Sequence, residues 1–416
     1  MLTVLDLHLH SKYSRACSPA LTLSGIDAAC RLKGVAVVSS ADFTYPAWFN
    51  ALKNELREIN NSGLYCLKEA ADEKVKFLLS TELSLIYKQG GKARRIHLVV
   101  HAPNLAAVAE LNNFLDKSYN IRSDGRPILG LPAPDLVKLC LKIDPRFLIY
   151  PAHIWTPWFS VFGSKSGFDS FEECFGDQAE FIYAYETGLS SDPAMNWRVS
   201  ALDKLTLLSN SDAHSPANIA REANAFDLND GGYQEIYKII KNKDAKKIKY
   251  TIEFYPEEGM YHWDGHRVCG FSIDPRKAEN LKGLCPVCKK PLTIGVANRA
   301  EQLADRPLGF RPKGATDFKK TVELDKIIAE SLNVKSRQSV RVRSEFDNLI
   351  KNVGSELFVL LEADLKKIET VAGARLAEGV RRMRAGELLI KPGFDGQYGE
   401  IHIFSEAERQ SQGTLF

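Results

Sequence analysis

The sequence predicts an α/β fold arranged as a β/α barrel followed by smaller modules, and three observations predict it. Short apolar runs alternate with helical patterns through the first half of the chain, which is the signature of parallel strands joined by helices. Histidines and carboxylates recur at the C-terminal ends of those runs, the rim where barrels of this kind carry their sites. The chain has 416 residues, 44% of them hydrophobic and 26% charged, as expected of a globular protein with two or three domains.

Seven apolar runs are read as strands, at residues 4–9, 35–40, 75–79, 96–100, 147–150, 181–184 and 205–208. Helical patterns lie between them, for example at 50–59, 105–115 and 133–141. Side chains alternate along a strand, so Asp6, His8 and His10 share one face while Leu5, Leu7 and Leu9 share the other. His8 and His10 end the first run, Glu82 follows the third, and His97 sits in the fourth. His153 follows the fifth, Glu186 ends the sixth, and Asp212 and His214 follow the seventh. Structural histidines would not keep that register. The mixed His/Asp/Glu set suits Zn, Mn or Fe rather than a thiolate site. A carboxylate such as Glu82 can bridge two ions, and two ions about 4 Å apart clamp an in-line phosphoryl displacement. His101 reads as structural. The segment 155–168 is rich in Trp and Phe among Gly and Ser, which reads as a functional loop, and Trp155 and Trp158 are candidates for stacking on bases.

Residues 231–300 form a linker and zinc-binding module. Within it, His266-x-x-Cys269 and Cys285-x-x-Cys288 have the spacing of one tetrahedral structural zinc. His262 and Asp264 are alternatives for the fourth ligand, and His266 is preferred for its two-residue spacing. The other five cysteines are scattered singly, which fits a reducing compartment. No apolar run reaches membrane-spanning length, and no leader precedes the first strand, so a cytoplasmic protein is expected. The net charge of +3 confines any nucleic-acid site to a local basic patch.

Residues 301–404 are mainly helical in pattern, at 324–332, 340–350 and 364–385. Arg375, Arg381, Arg382 and Arg384 near the end of the last are either a DNA-backbone contact or a solvated helix end. Residues 405–416 read as a flexible tail, whose Gln412, Leu415 and Phe416 resemble a sliding-clamp-binding motif.

The His-x-His start, internal Glu, two isolated His and late Asp-x-His resemble the polymerase and histidinol phosphatase (PHP) superfamily. Five longer stretches are similar to endonuclease Q, a DNA-repair family within it: RSDGRPILG at 122–130, PAHIWTPWF at 151–159, GSKSGFD at 163–169, ETGLSSDP at 186–193 and NSDAHSP at 210–216. This resemblance implies a distorted seven-stranded barrel over residues 1–230. It implies a metal-dependent endonuclease that nicks DNA on the 5′ side of deaminated bases (uracil, hypoxanthine, xanthine) and abasic sites. It assigns His8, His10, Glu82 and Asp212 to one divalent ion and Glu82, His97 and His153 to a second, as Zn or Mn/Mg. His214 and Asp42 would serve a third. Tyr45 stands where the family would place a histidine, which leaves two ions, or three with Asp42 carrying more of the binding. Asp212, His214 and Glu82 would be catalytic. Arg94, Arg122 and Lys165 are either phosphate contacts or solvated surface charge. A PHP-type phosphomonoesterase and a zinc-containing DNA-binding protein with a weakened barrel are the alternatives.

Overall fold

The structure, a computed structural model, describes residues 2–229, 231–278 and 281–410. The clamp-like Gln412, Leu415 and Phe416 lie outside the described residues. Six of the seven expected strands form close to where the pattern places them: Leu2–Asp6, Val37–Ser39, Lys76–Leu78, Lys92–His101, Leu148–Pro151 and Thr206–Leu208. The seventh lies later than expected, at Ala184–Glu186, because Gly176–Phe181 coils into a 3-10 turn.

Further strands escape the sequence pattern. Ser80–Gln89 folds back on Lys92–His101 as an antiparallel hairpin, closed by Gly90 and Gly91 with φ of 59° and 73°. A two-residue turn of that kind needs left-handed backbone at both positions, which glycine adopts without a Cβ clash. Ala223–Asp227 adds antiparallel to Leu2–Asp6, Ile248–Glu253 adds antiparallel to Ala223–Asp227, and Asp317–Lys320 adds parallel beyond it. The expected domain boundary near residue 230 therefore falls inside a sheet. That sheet has eight strands, running from Asp317–Lys320 through Leu2–Asp6 to Leu56–Glu58.

The expected closed barrel does not form as one hydrogen-bonded cylinder among the described residues. The hairpin belongs to a separate four-stranded sheet, and Ala184–Glu186 pairs only with Thr206–Leu208. The ring is completed by single links: Ile154 N donates to Glu186 O at 3.0 Å, and Leu9 bridges Ala213. Apolar side chains from all three sheets, including Leu5, Val37, Val99, Tyr150, Ala184 and Leu208, pack into one cluster inside that ring. The helix Tyr233–Lys241 packs onto the same cluster, and the other helices of this part belong to a second one. A separate core joins the C-terminal helices Leu324–Ser331, Val340–Asn352, Glu356–Leu361, Leu365–Ala372 and Ala374–Ala385. The last two were expected as one helix, and Gly373 at φ 88° breaks them. Among the described residues no helix is long and apolar enough to cross a membrane.

Candidate metal centre

The strand ends bring the histidines and carboxylates together in two groups that share Glu82. His8, His10, Glu82 and Asp212 place one ligand atom each within 4.8 Å of one another, and so do Glu82, His97 and His153. The two oxygens of Glu82 divide between them. Oε2 lies 3.3 Å from His10 Nε2 and 3.7 Å from His8 Nε2, while Oε1 lies 2.8 Å from His97 Nδ1 and 3.2 Å from His153 Nε2. Hairpin register produces the second group: Glu82 pairs with Val99 and Ser84 with His97, so Glu82 and His97 point to one face as diagonal neighbours.

Each histidine of the first group is held at its far nitrogen. His8 Nδ1 lies 3.0 Å from Glu186 Oε2, and His10 Nδ1 lies 3.3 Å from Asp42 Oδ1. A carboxylate there fixes the tautomer and turns Nε2 toward the ion. His8 Nε2 is buried with no hydrogen-bond partner, a costly state that a metal relieves. His153 Nδ1 meets Ser160 Oγ at 3.1 Å. The donors thus fit divalent ions of the hard-to-borderline kind. Asp42, His153 and Asp212 have φ of 35°, 32° and 45°. Such left-handed backbone costs about 1–3 kcal/mol at a non-glycine residue and concentrates at functional sites.

The electrostatics follow from burial. Desolvation opposes charge on every group, yet the Glu186 and Glu82 carboxylates hold His8 well above the usual histidine range, and Asp212, Asp42 and Glu82 do the same for His10. Burial dominates at His97 and pulls it down to about 4 despite Glu82. Burial likewise opposes ionisation of Asp212, but the hydrogen bond with His10 and the His8 charge keep it below the ordinary carboxylate range.

Asp42 lies outside both ligand groups and orients His10. Its Oδ2 accepts from Ser11 N, Ser11 Oγ and Ser14 Oγ at 2.8, 2.6 and 2.7 Å, and its Oδ1 meets His10. Tyr45 stacks on Tyr13 at 4.7 Å. His214 Nδ1 meets the Asp212 carbonyl at 2.8 Å, and the ring leans on His10 at 4.6 Å. His214 and Asp42 join neither ligand group, and both Asp42 oxygens are already engaged by protein groups.

The basic and aromatic candidates separate. Arg94 is buried, bonds to Gly167 O and Glu173, and lies 4.0 Å from the Phe168 ring centre, so it anchors the aromatic loop and has no face for phosphate. Arg122 forms a two-pronged pair with Asp116 on the surface. Trp155 is 1% exposed and donates to Asn196 Oδ1 at 2.7 Å, which makes it a core residue and excludes base stacking. Trp158 is 39% exposed beside Tyr261, and Lys165 is exposed. Two residues at the site escaped sequence reasoning. Phe159 lies 4.8 Å from His97, and Arg126 Nη1 donates to Glu82 Oε2 at 3.0 Å. The RSDGRPILG stretch contained the second signal, but Arg122 was singled out from it. Of the late arginines, Arg381 and Arg382 are tied to glutamates, and Arg384 donates to the carbonyls of Val359, Leu360 and Ala363.

His266, Cys269, Cys285 and Cys288 form a second centre, again with ligand atoms within 4.8 Å. The turn between Asp264–His266 and Phe271–Ile273 carries the first pair, and a Leu284–Pro291 bridge closes the second. Asp264 is engaged by Gly295 N and Asn298 Nδ2, and it is His266, not His262 or Asp264, that lies in one group with the three cysteines.

Residues 323–387 match the family model described as the MJ0043 C-terminal domain. An uncharacterised protein MJ0043 of Methanocaldococcus jannaschii is 32% identical over 256 residues, 59% of this chain; that match spans 31% of the relative's own length. The uncharacterised protein YqxK of Bacillus subtilis is 29% identical over 83% of this chain and 84% of its own. The crystal structure of the lesion-specific endonuclease PfuEndoQ from Pyrococcus furiosus superposes with a TM-score of 0.86 and 32% identity, covering 98% of this chain and 96% of that one. Endonuclease Q in complex with a 27-mer duplex bearing an abasic lesion at its active site superposes at 0.84, also with 32% identity, covering 98% of both chains. Likeness of this extent, over the whole ring and the modules that follow it, shows that the chain belongs to the endonuclease Q family.

Proposed function

We propose that the chain is a metal-dependent DNA endonuclease that hydrolyses the phosphodiester 5′ to deaminated bases (uracil, hypoxanthine, xanthine) and abasic sites. One observation carries the chemistry: each oxygen of the buried Glu82 faces a different ligand group, the arrangement of a bridging carboxylate between two ions. The family supplies the substrate class, since its solved members are a lesion-specific endonuclease and a complex with abasic duplex.

His8, His10, Glu82 and Asp212 would hold one divalent ion and Glu82, His97 and His153 the other, as Zn or Mn/Mg. Such ions acidify water and stabilise charge on phosphoryl oxygens. Glu186 and Asp42 orient the imidazoles, and the Phe159 ring packs on His97. His214 donates its Nδ1 hydrogen to the Asp212 carbonyl, which leaves Nε2 as a proton acceptor. Burial holds its pKa below the usual value, so the neutral ring is ready for that task. His266, Cys269, Cys285 and Cys288 would hold one structural zinc.

The test is a labelled duplex with one deoxyuridine or abasic site, incubated with and without chelator. A chelator-sensitive nick on the 5′ side of the lesion is expected. Asp212→Asn should lower cleavage by more than about 100-fold while DNA binding persists. Phosphate release from small monoesters without any nick would replace this reading with a phosphomonoesterase.

A further inference from the structure

Three side chains form the solvent-facing edge of the metal centre. The side chains of His8, His10 and Glu82 are at most 2% exposed, whereas Asp212 is 21%, Arg126 23% and His214 30% exposed. A phosphate arriving from solvent meets these three first, and one of them is a permanent cation. Arg126 sits on the oxygen of Glu82 that faces His10, and its charge also acts on Asp212 and Asp124. Among the described residues its side chain makes one hydrogen bond, Nη1 to Glu82. The remaining guanidinium donors are free for a ligand.

The chain is shaped to deliver that group. Asp124 Oδ1 accepts from Arg126 N at 2.9 Å, and Gly125 N donates to Tyr13 O at 3.0 Å. A Cβ on Gly125 would stand 2.4 Å from both Asp42 Oδ2 and Ser14 Oγ, so only glycine lets the loop press against Asp42 and carry Arg126 to the rim. The same corner lies between Asp42 and His214, neither of which joins a ligand group.

We propose that Arg126 is a catalytic residue of this chain, its guanidinium binding non-bridging oxygens of the scissile phosphate as a fixed charge at that corner. The inference rests on the reading of the site as a phosphodiesterase. A guanidinium forks onto two phosphate oxygens, and a cation fixed before the reaction needs no reorganisation as charge develops.

The experiment uses the full chain saturated with Mn²⁺, comparing wild type with Arg126→Ala and Arg126→Lys. Both variants are expected to keep the wild-type ion content, read by elemental analysis, and the wild-type melting temperature. Cleavage of lesion duplex should fall about 100-fold in Arg126→Ala and less in Arg126→Lys, with added guanidinium restoring roughly tenfold in the alanine variant only. Undiminished cleavage, or a loss that tracks lost ions, overturns the proposal and leaves Arg126 as a partner of Glu82. If wild type cuts no lesion DNA but hydrolyses bis(p-nitrophenyl) phosphate, the lesion reading fails and Arg126 is judged on that diester. The same drop then supports it, and equal rates overturn it. A wild-type chain that hydrolyses neither overturns both.

Discussion

Glu186 holds two histidine positions at once: Oε2 lies 3.0 Å from His8 Nδ1, and Oε1 accepts from His153 N at 3.1 Å. Asn210 Nδ2 adds a third bond at 2.9 Å, so this one buried carboxylate ties together three strand ends. Glu186→Gln keeps the volume but has one accepting oxygen, and its amide NH₂ opposes at least one of the three donors. Metal affinity should fall about 10–100-fold, measured by competition with a chromogenic chelator; unchanged affinity would mean that His8 needs no partner at Nδ1. The candidate ligands stand out in the sequence because histidine is scarce, nine in the chain, and histidines and carboxylates recur in or just after the apolar runs. The orienting roles of Glu186 and Asp42 were not, since they depend on how separate strands come into register. Residue type alone does not separate groups that bind phosphate or bases from groups that pin a loop, as Arg94 does, or fill a core, as Trp155 does.

The aromatic loop shows what an element adds to its residues. Residues 155–168 have one edge in the core through Trp155, Phe162 and Phe168. The other edge is braced by the helix Val296–Leu303, where Arg299 donates to Phe162 O and Phe168 O, both at 3.0 Å, and pairs with Asp169. The module after residue 255 thereby sets the shape of a loop whose Phe159 touches the second ligand group. Arg299→Ala should leave ion content unchanged but speed proteolytic cleavage within the loop and raise KM for lesion DNA several-fold. Equal proteolysis of variant and wild type would show that the brace is dispensable. Strands with continuous apolar runs were readable in advance. Ala223–Asp227 was not, because Asn224 sits fully buried in it, made tolerable by bonds to Ser209 and Asn210. The hairpin at 80–101 carried a readable cue in Gly90-Gly91, masked by the charged Lys92-Ala93-Arg94-Arg95 that follows.

At the scale of the molecule, the ring joins the C-terminal part through Ile248–Glu253, which pairs with Ala223–Asp227 on one side and Asp317–Lys320 on the other. Ala223 pairs with Ile252, so Glu222 and Glu253 stand across from each other at this seam, both fully buried. Burial pushes Glu253 up to about 8, helped by Asp192 and opposed by Thr251, Ser209 and Lys320. Burial and the charges of Glu253 and Glu186 push Glu222 up as well. A carboxyl whose folded pKa is raised contributes its full stability below the ordinary range. As pH climbs from about 4.5 to about 8, the unfolded chain has released that proton while the folded chain still holds it, so stability declines across the window. Glu253→Gln has no proton to release and can still accept from Thr251 Oγ1. Its melting temperature should match wild type near pH 5 and exceed it by a few degrees at pH 8. Parallel melting curves across that range would show instead that the Glu222–Glu253 seam is already ionised, with its charge balanced by Lys320, whose amine lies 2.7 Å from Asp192.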